Sequence, residues 1–268
     1  MYEHILVPLD GSHESESSLA YVEVLAGHQP TKVTVLQVAS TDVELSDPKH
    51  QIFLHKLEQN AVNQARHYVE YVASVLDDES VSAHAAVAYG RPADKILEQA
   101  AATNADLVVM MSRGRSGFDR LTHGSVAWEL RHRLTVPMLV VPAGPHAQVV
   151  QPWGDEAHVS DIVLPLDGSP LAEQAVPHAN AMAARFGANV SLIRAVTRPA
   201  MAAIEPDALA YYFELEAELA TAAEQYLQAQ AARFDAGIEV TTKVVRGLPA
   251  DALLQHVESL ERPMVVMT

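Results

Sequence analysis

The sequence predicts an α/β protein made of two copies of one open parallel sheet, and three observations carry that reading. Pro8-Leu9-Asp10-Gly11-Ser12 returns letter for letter as Pro165-Leu166-Asp167-Gly168-Ser169. Gly90, Pro92, Ala93 and Asp94 return as Gly247, Pro249, Ala250 and Asp251, and Val108-Val109-Met110 returns as Val265-Val266-Met267. From 8 to 165, from 90 to 247 and from 108 to 265 the shift is a constant 157 positions, so the chain is a tandem repeat.

Within each copy, short and nearly continuous β-branched runs alternate with longer amphipathic stretches. That is the pattern of strands covered on both faces and joined by crossover helices. In the first copy the strands are expected at His4 to Leu9, Lys32 to Ala39, Val81 to Tyr89, Asp106 to Met111 and Val136 to Val141. The helices between them are expected at Glu14 to Ala26, Ile52 to Leu76, Pro92 to Ala102 and Ser125 to Arg133. Pro92 stands where a first-turn proline forfeits no hydrogen bond. In the second copy the strands fall near Asp161 to Leu166, Val190 to Val196, Ile238 to Val245 and Met264 to Met267. Its helices fall near Leu171 to Phe186, Pro206 to Phe234 and Pro249 to Leu260. Prolines, glycines and mixed polarity between the copies read as a linker, which sets the expected boundaries at 1–143, 144–160 and 161–268. The first copy continues past Met110 through Val140-Val141-Pro142, whereas the second stops at Met267-Thr268. The second sheet is therefore expected to lack its last helix and strand.

Composition narrows the function classes. Hydrophobic residues are 49% of 268, enough for packed cores. Lys plus Arg is 18 against 34 Asp plus Glu, a net charge of −16, and such a surface repels nucleic-acid backbones and anionic lipid. No nucleic-acid or membrane partner is expected. The absence of cysteine removes disulfides, thiolate metal ligands and thiol nucleophiles together. Among the histidines, the spacings His50/His55 and His67/His84 form no tetrahedral set, so no metal site is expected. The stretch Met1 to Asp10 has no basic leader and its apolar run is broken by Pro8, so no signal peptide is read there. No run approaches the roughly 20 apolar residues of a spanning helix. A cytoplasmic protein is the expectation.

In an open parallel sheet, ligands gather beyond the carboxyl ends of the strands, where strand order reverses. Pro8-Leu9-Asp10, Gln37-Val38-Ala39 and the stretch from Val109 to Gly117 leave three strands at that end, followed by His123-Gly124-Ser125 at a helix start. Gly114 permits a close backbone approach, and the free N–H groups around Gly124 and Ser125 favour an anion. Between Ser112 and Arg133 five arginines (113, 115, 120, 131, 133) face only Asp119 and Glu129, the one distinctly basic stretch of an acidic chain. Arg131 and Arg133 are read as complements to their helix dipole. Arg113, Arg115 and Arg120 remain as phosphate candidates. Taken without a ligand, Asp10 is also good turn chemistry before Gly11-Ser12. His123 is read as a solvated loop residue.

Pro-x-Asp-Gly-Ser after the first strand, Gly-x-Pro before the third helix and Gly-x9-Gly-Ser after the fourth strand resemble the universal stress protein family in its tandem form. The resemblance implies a Rossmann-like sheet of the adenine nucleotide alpha hydrolase-like type, strand order 3-2-1-4-5. In the family's ATP-binding branch it also implies ATP, with Mg, in the crevice. It further implies that Asp10 bonds the ribose beside Pro8 and Leu9, and that Val38 and Met110 meet the adenine. Gly114, Gly124 and Ser125 would hold the phosphates, in a loop that also carries Arg113, Arg115 and Gly117. One departure stands out: Met111 occupies the first glycine position of the pattern, which is Gly-x2-Gly-x9-Gly-Ser. The second copy keeps Asp167, has Ala195 in place of Val38 and lacks the whole phosphate loop, so tight ATP binding is expected in the first copy only.

No Gly-Lys-Ser/Thr loop, Asp-Phe-Gly or Gly-x-Ser-x-Gly is present, so binding rather than turnover is expected. The resemblance implies a stress-response role of a regulatory kind. The alternatives are a nucleotide-free dimerisation or partner-binding scaffold, or a slow ATPase. The apolar strand Val136 to Val141, bounded by prolines, reads as a sheet edge. The family pairs such strands across a two-fold, so a homodimer through it is expected.

Overall fold

The computed structural model describes residues 2–27, 30–40, 51–112, 125–142, 157–197 and 209–268. It divides into two compact units, Met1–Ala157 and His158–Thr268.

The first unit is a five-stranded, all-parallel sheet in the order β3-β2-β1-β4-β5. Its elements are β1 (His4–Leu9), α1 (His13–Glu16), α2 (Ser18–Ala26), β2 (Thr31–Ala39) and α3 (Gln51–Leu76). They continue as β3 (Val81–Tyr89), α4 (Pro92–Thr103), β4 (Leu107–Ser112), α5 (Ser125–Leu130) and β5 (Met138–Pro142). The core beneath α4 and α5 joins Leu6, Leu36 and Val108 of the strands to Ile96 and Leu130 of the helices. Strand order reverses between β1 and β4, as a helix crossing from β3 back over the sheet requires.

The second unit repeats the design as a four-stranded parallel sheet, β8-β7-β6-β9. Its elements are β6 (Asp161–Pro165), α6 (Pro170–Glu173), α7 (Val176–Phe186), β7 (Asn189–Val196), α8 (Leu209–Ala231), β8 (Val240–Arg246), α9 (Pro249–Glu258) and β9 (Pro263–Val265).

Two helices expected to be single are broken. In the first unit the break falls at Ser17, between α1 and α2. The Ser15 hydroxyl bonds back to the Ser12 carbonyl and the Ser18 hydroxyl to the Ser15 carbonyl, so the serines compete with the helical ladder. In the second unit the break precedes Val176, because Pro177 in the first turn of α7 has no N–H to continue the ladder from α6. The outer strand β5 begins at Met138 rather than Val136: the Pro137 carbonyl accepts from the Val108 N–H at 3.0 Å, and regular pairing starts with the next residue.

At one matching position each sheet buries a hydroxyl. Thr34 in β2 meets His4 Nε2 at 2.8 Å, whereas Ser191, the matching residue of β7, meets His256 Nε2 of α9 at 3.1 Å.

Candidate functional site

Above the carboxyl ends of β1, β2 and β4 lies a cleft of about 1600 Å³. The topology dictates its position: α1 and α3 leave the sheet on one side of the β1/β4 reversal, α4 and α5 on the other, and the gap between them stays open.

Of the residues expected at a site, Pro8, Leu9 and Asp10 at the end of β1, Val38 of β2, Met110 of β4 and Ser125 of α5 all line this cleft. Met110 is also part of the core below it. Arg113, Gly114, Arg115, Gly117 and Gly124 lie outside the described residues, as do Arg120 and His123. Met111 is partly exposed on the cleft wall, and the cleft volume remains beside it.

Asp10 is held by its own turn. Its Oδ1 accepts from the Ser12 N–H at 2.9 Å and from the Ser12 hydroxyl. Ser12 in turn caps α1 by accepting from the Ser15 N–H at 3.2 Å. Gly11, at φ +80°, adopts the left-handed conformation that this turn needs. The same turn recurs at Asp167, whose Oδ1 accepts from the Ser169 N–H at 2.7 Å. There the Ser169 hydroxyl, then its N–H, hold the carboxyl below the ordinary carboxylate range.

Several cleft residues were not singled out from the sequence. Tyr68 of α3 reaches over and donates its hydroxyl to Glu16 Oε1 at 2.9 Å. Burial first, then Glu16, pushes its pKa upward. The second unit repeats the pair, Tyr226 to Glu173 at 3.2 Å, with the Tyr226 phenol raised to about 12 by burial and by Glu173. The repeat offset could have exposed it: Glu16 and Glu173 are 157 positions apart, and Tyr68 and Tyr226 are 158. Gln37 of β2 also lines the cleft, and its Oε1 is buried with no hydrogen-bond partner among the described residues. A buried acceptor left in that state costs about 1–3 kcal/mol.

The opposite wall carries Trp128, Glu129, His132 and Arg133. Arg131 lies 3.6 Å over the Trp128 ring, and His132 meets that ring edge-on. Arg133 does more than complement a helix dipole, which corrects the sequence reading. It bonds Asp94 of α4 at 2.8 Å and Glu129 at 2.6 Å, while Arg91 reaches Glu129 at 3.2 Å. Two arginines and two carboxylates thus neutralise one another across α4 and α5.

Among the described residues, no helix is long and apolar enough to cross a membrane, and no group of three or more His, Asp or Glu could hold a metal ion.

Comparison with known proteins adds a lineage to this geometry. The sequence pattern of the universal stress protein family matches residues 1–142 and 159–268. The universal stress protein YxiE of Bacillus subtilis is 28% identical over 149 residues, covering 53% of this chain and 99% of that protein. A universal stress protein of Mycolicibacterium smegmatis is 28% identical over 193 residues, covering 69% of this chain and 61% of that one. Among solved structures, a universal stress protein from Archaeoglobus fulgidus superposes with a TM-score of 0.65 at 21% identity, over 98% of this chain and 86% of that one, a likeness of fold.

Proposed function

The chain belongs to the universal stress protein family, and from that premise we propose that its first unit binds ATP or a related adenine nucleotide, with Mg, as a regulatory ligand. The observation that carries this reading is the cleft itself. Pro8, Leu9, Asp10, Val38, Met110 and Ser125, from four separate stretches of sequence, line one hollow of about 1600 Å³. Ligand pockets of drug-sized molecules run to about 300–1000 Å³, so the volume accommodates a nucleotide with solvent to spare. The donor set fits as well: an apolar wall at Val38 and Met110 for a base, and a carboxylate at Asp10 for a sugar. Bound here, the nucleotide would supply polyphosphate charge and an occupied or empty state for partners to read. Asp10 and Pro8-Leu9 would hold its sugar end, and Ser125 would meet its phosphate end together with Arg113, Gly114, Arg115, Gly117 and Gly124. Among the described cleft residues the geometry pairs no nucleophile with a base, and the role proposed is binding rather than catalysis. Nucleotide binding is proposed for the first unit only.

The test is the mass of small molecules released when the purified full-length protein is denatured. Adenine nucleotide at near one per chain supports the reading. A protein that carries none, and takes up none from millimolar ATP in calorimetry, overturns it. Slow hydrolysis is a subordinate question: a turnover rate unchanged in Asp10→Ala rules out a hydrolytic role for this cleft.

A second reading, a nucleotide-free scaffold, is favoured by Met111, whose side chain lines the cleft where the family pattern has glycine. The same uptake measurement separates the two. We further propose a cytoplasmic homodimer paired through Val136 to Val141, since β5 is the outermost strand of its sheet. A monomer by light scattering at micromolar concentration overturns the pairing.

A further inference from the structure

Gln37 is the cleft residue that the motifs leave unexplained. It stands one place before Val38 on β2, level with Leu9 of β1. Its amide lies under the turn that carries Asp10: a Cβ on Gly11 would sit 3.1 Å from Gln37 Nε2. Gly11 therefore leaves room for the glutamine, and its Oε1 is left buried and without a partner among the described residues. Buried amides almost always find a donor, so an orphan on a cleft wall points to a donor brought by a ligand. The terminal amide turns about a soft torsion, which lets the oxygen face the cleft without moving the strand.

Two residues with acceptors of different kind thus line the cleft beside the Gly11 turn, Asp10 with its carboxylate and Gln37 with its amide oxygen. A group that donates from two neighbouring atoms satisfies both, and the vicinal diol of a ribose has that chemistry. We infer that Gln37 is a specificity-determining residue, whose amide oxygen accepts from a sugar hydroxyl and makes the cleft prefer ribonucleotides over 2′-deoxyribonucleotides. The inference rests on the nucleotide reading above.

The second unit supplies the contrast. Arg194 stands 157 positions after Gln37 and donates hydrogen bonds only. Its guanidinium lies 4.8 Å over the Tyr226 ring, and its Nη2 is 3.0 Å from where a Cβ on Gly168 would stand. The acceptor is gone there, and the space beside the turn is filled.

The experiment compares ATP with 2′-deoxyATP by calorimetry on the full chain, as wild type, Gln37→Leu and Gln37→Met. Wild type is expected to favour ATP by about tenfold, the worth of one hydrogen bond. Both variants are expected to bind ATP about tenfold more weakly and 2′-deoxyATP unchanged, so that the preference disappears while the melting temperature holds or rises. If the leucine variant melts early, the methionine variant, closer in length and flexibility, carries the comparison. A folded variant that keeps the preference overturns the inference and leaves nucleotide binding standing. So does a wild type that binds both nucleotides equally, which is also the result if a trapped water satisfies the oxygen. A wild type that binds neither overturns both readings.

Discussion

Asp10 and Ser12 fix each other: Oδ1 of Asp10 accepts from both the N–H and the hydroxyl of Ser12, and the Ser12 hydroxyl oxygen caps α1. The carboxylate is thereby aimed before any ligand arrives. Asp10→Asn keeps an acceptor for the turn but removes the charge, so the fold is expected to survive and nucleotide affinity to drop tenfold or more. Ser12→Ala and Ser169→Ala each remove an N-cap worth about 1 kcal/mol. Only the first is expected to weaken nucleotide binding as well. Urea unfolding and calorimetry on the three variants check this, and equal affinity in all of them would contradict it.

Arg133 lines the same cleft, yet its charge is already answered by Asp94 and Glu129. An arginine so engaged has little left for a phosphate, and exposed ion pairs contribute little to stability. Arg133→Gln is therefore expected to leave ATP affinity within about twofold and the melting temperature nearly unchanged. A large, salt-dependent loss of affinity would mean that the guanidinium leaves its carboxylates when nucleotide binds.

Burial lowers the pKa of His4, His178 and His256 below the ordinary imidazole value of 6.5. In the unfolded chain these histidines take up protons as pH falls through about 6.5, while the folded state resists. Stability is therefore fullest above that value and declines as pH falls toward the lowered folded values. Melting curves between pH 7.5 and 5 should show the decline. In His4→Gln, which keeps a polar partner for Thr34, its slope should be shallower. An identical slope would remove His4 from the account. Asp167, held low by Ser169, loses its contribution only at more acid pH, as it protonates below the ordinary carboxylate range.

Leu130 of α5 is fully buried against α4 and the sheet. Leu130→Ala is expected to cost about 2–5 kcal/mol, the range for a buried leucine that leaves a cavity. A urea midpoint that moves by much less would mean that α5 contributes little to the first unit's core.

Much of the fold was legible because the repeat and the strand pattern reinforce each other. β3 runs over Val81–Tyr89 as its apolar run and flanking turns lead one to expect, and the order 3-2-1-4-5 is the one the family resemblance implies. The broken helices were not legible, since Ser15, Ser17 and Ser18 sit within an apolar period that reads as unbroken. What ends the helix there is side-chain hydrogen bonding to the backbone, which periodicity does not register. At the site, Asp10 and Ser125 were marked by motif spacing, and Val38 and Met110 by their strand ends and the family resemblance. Gln37 was placed at the strand end with Val38 and Ala39 but given no role, and Tyr68 was not marked, because α3 was read for its core face. Arg133 was misread for a related reason: its partner Asp94 lies 39 residues away on another helix.

The buried hydroxyls of Thr34 and Ser191 are met by imidazoles from different places, His4 on a neighbouring strand and His256 on a helix. The halves have thus drifted apart as interchangeable parts. A chimera that grafted β1 of the leading half into the trailing one would present Ser191 with two histidines, and the reciprocal graft would leave Thr34 with none. Recombination between the repeats, which their shared motifs invite, is penalised by this mismatch.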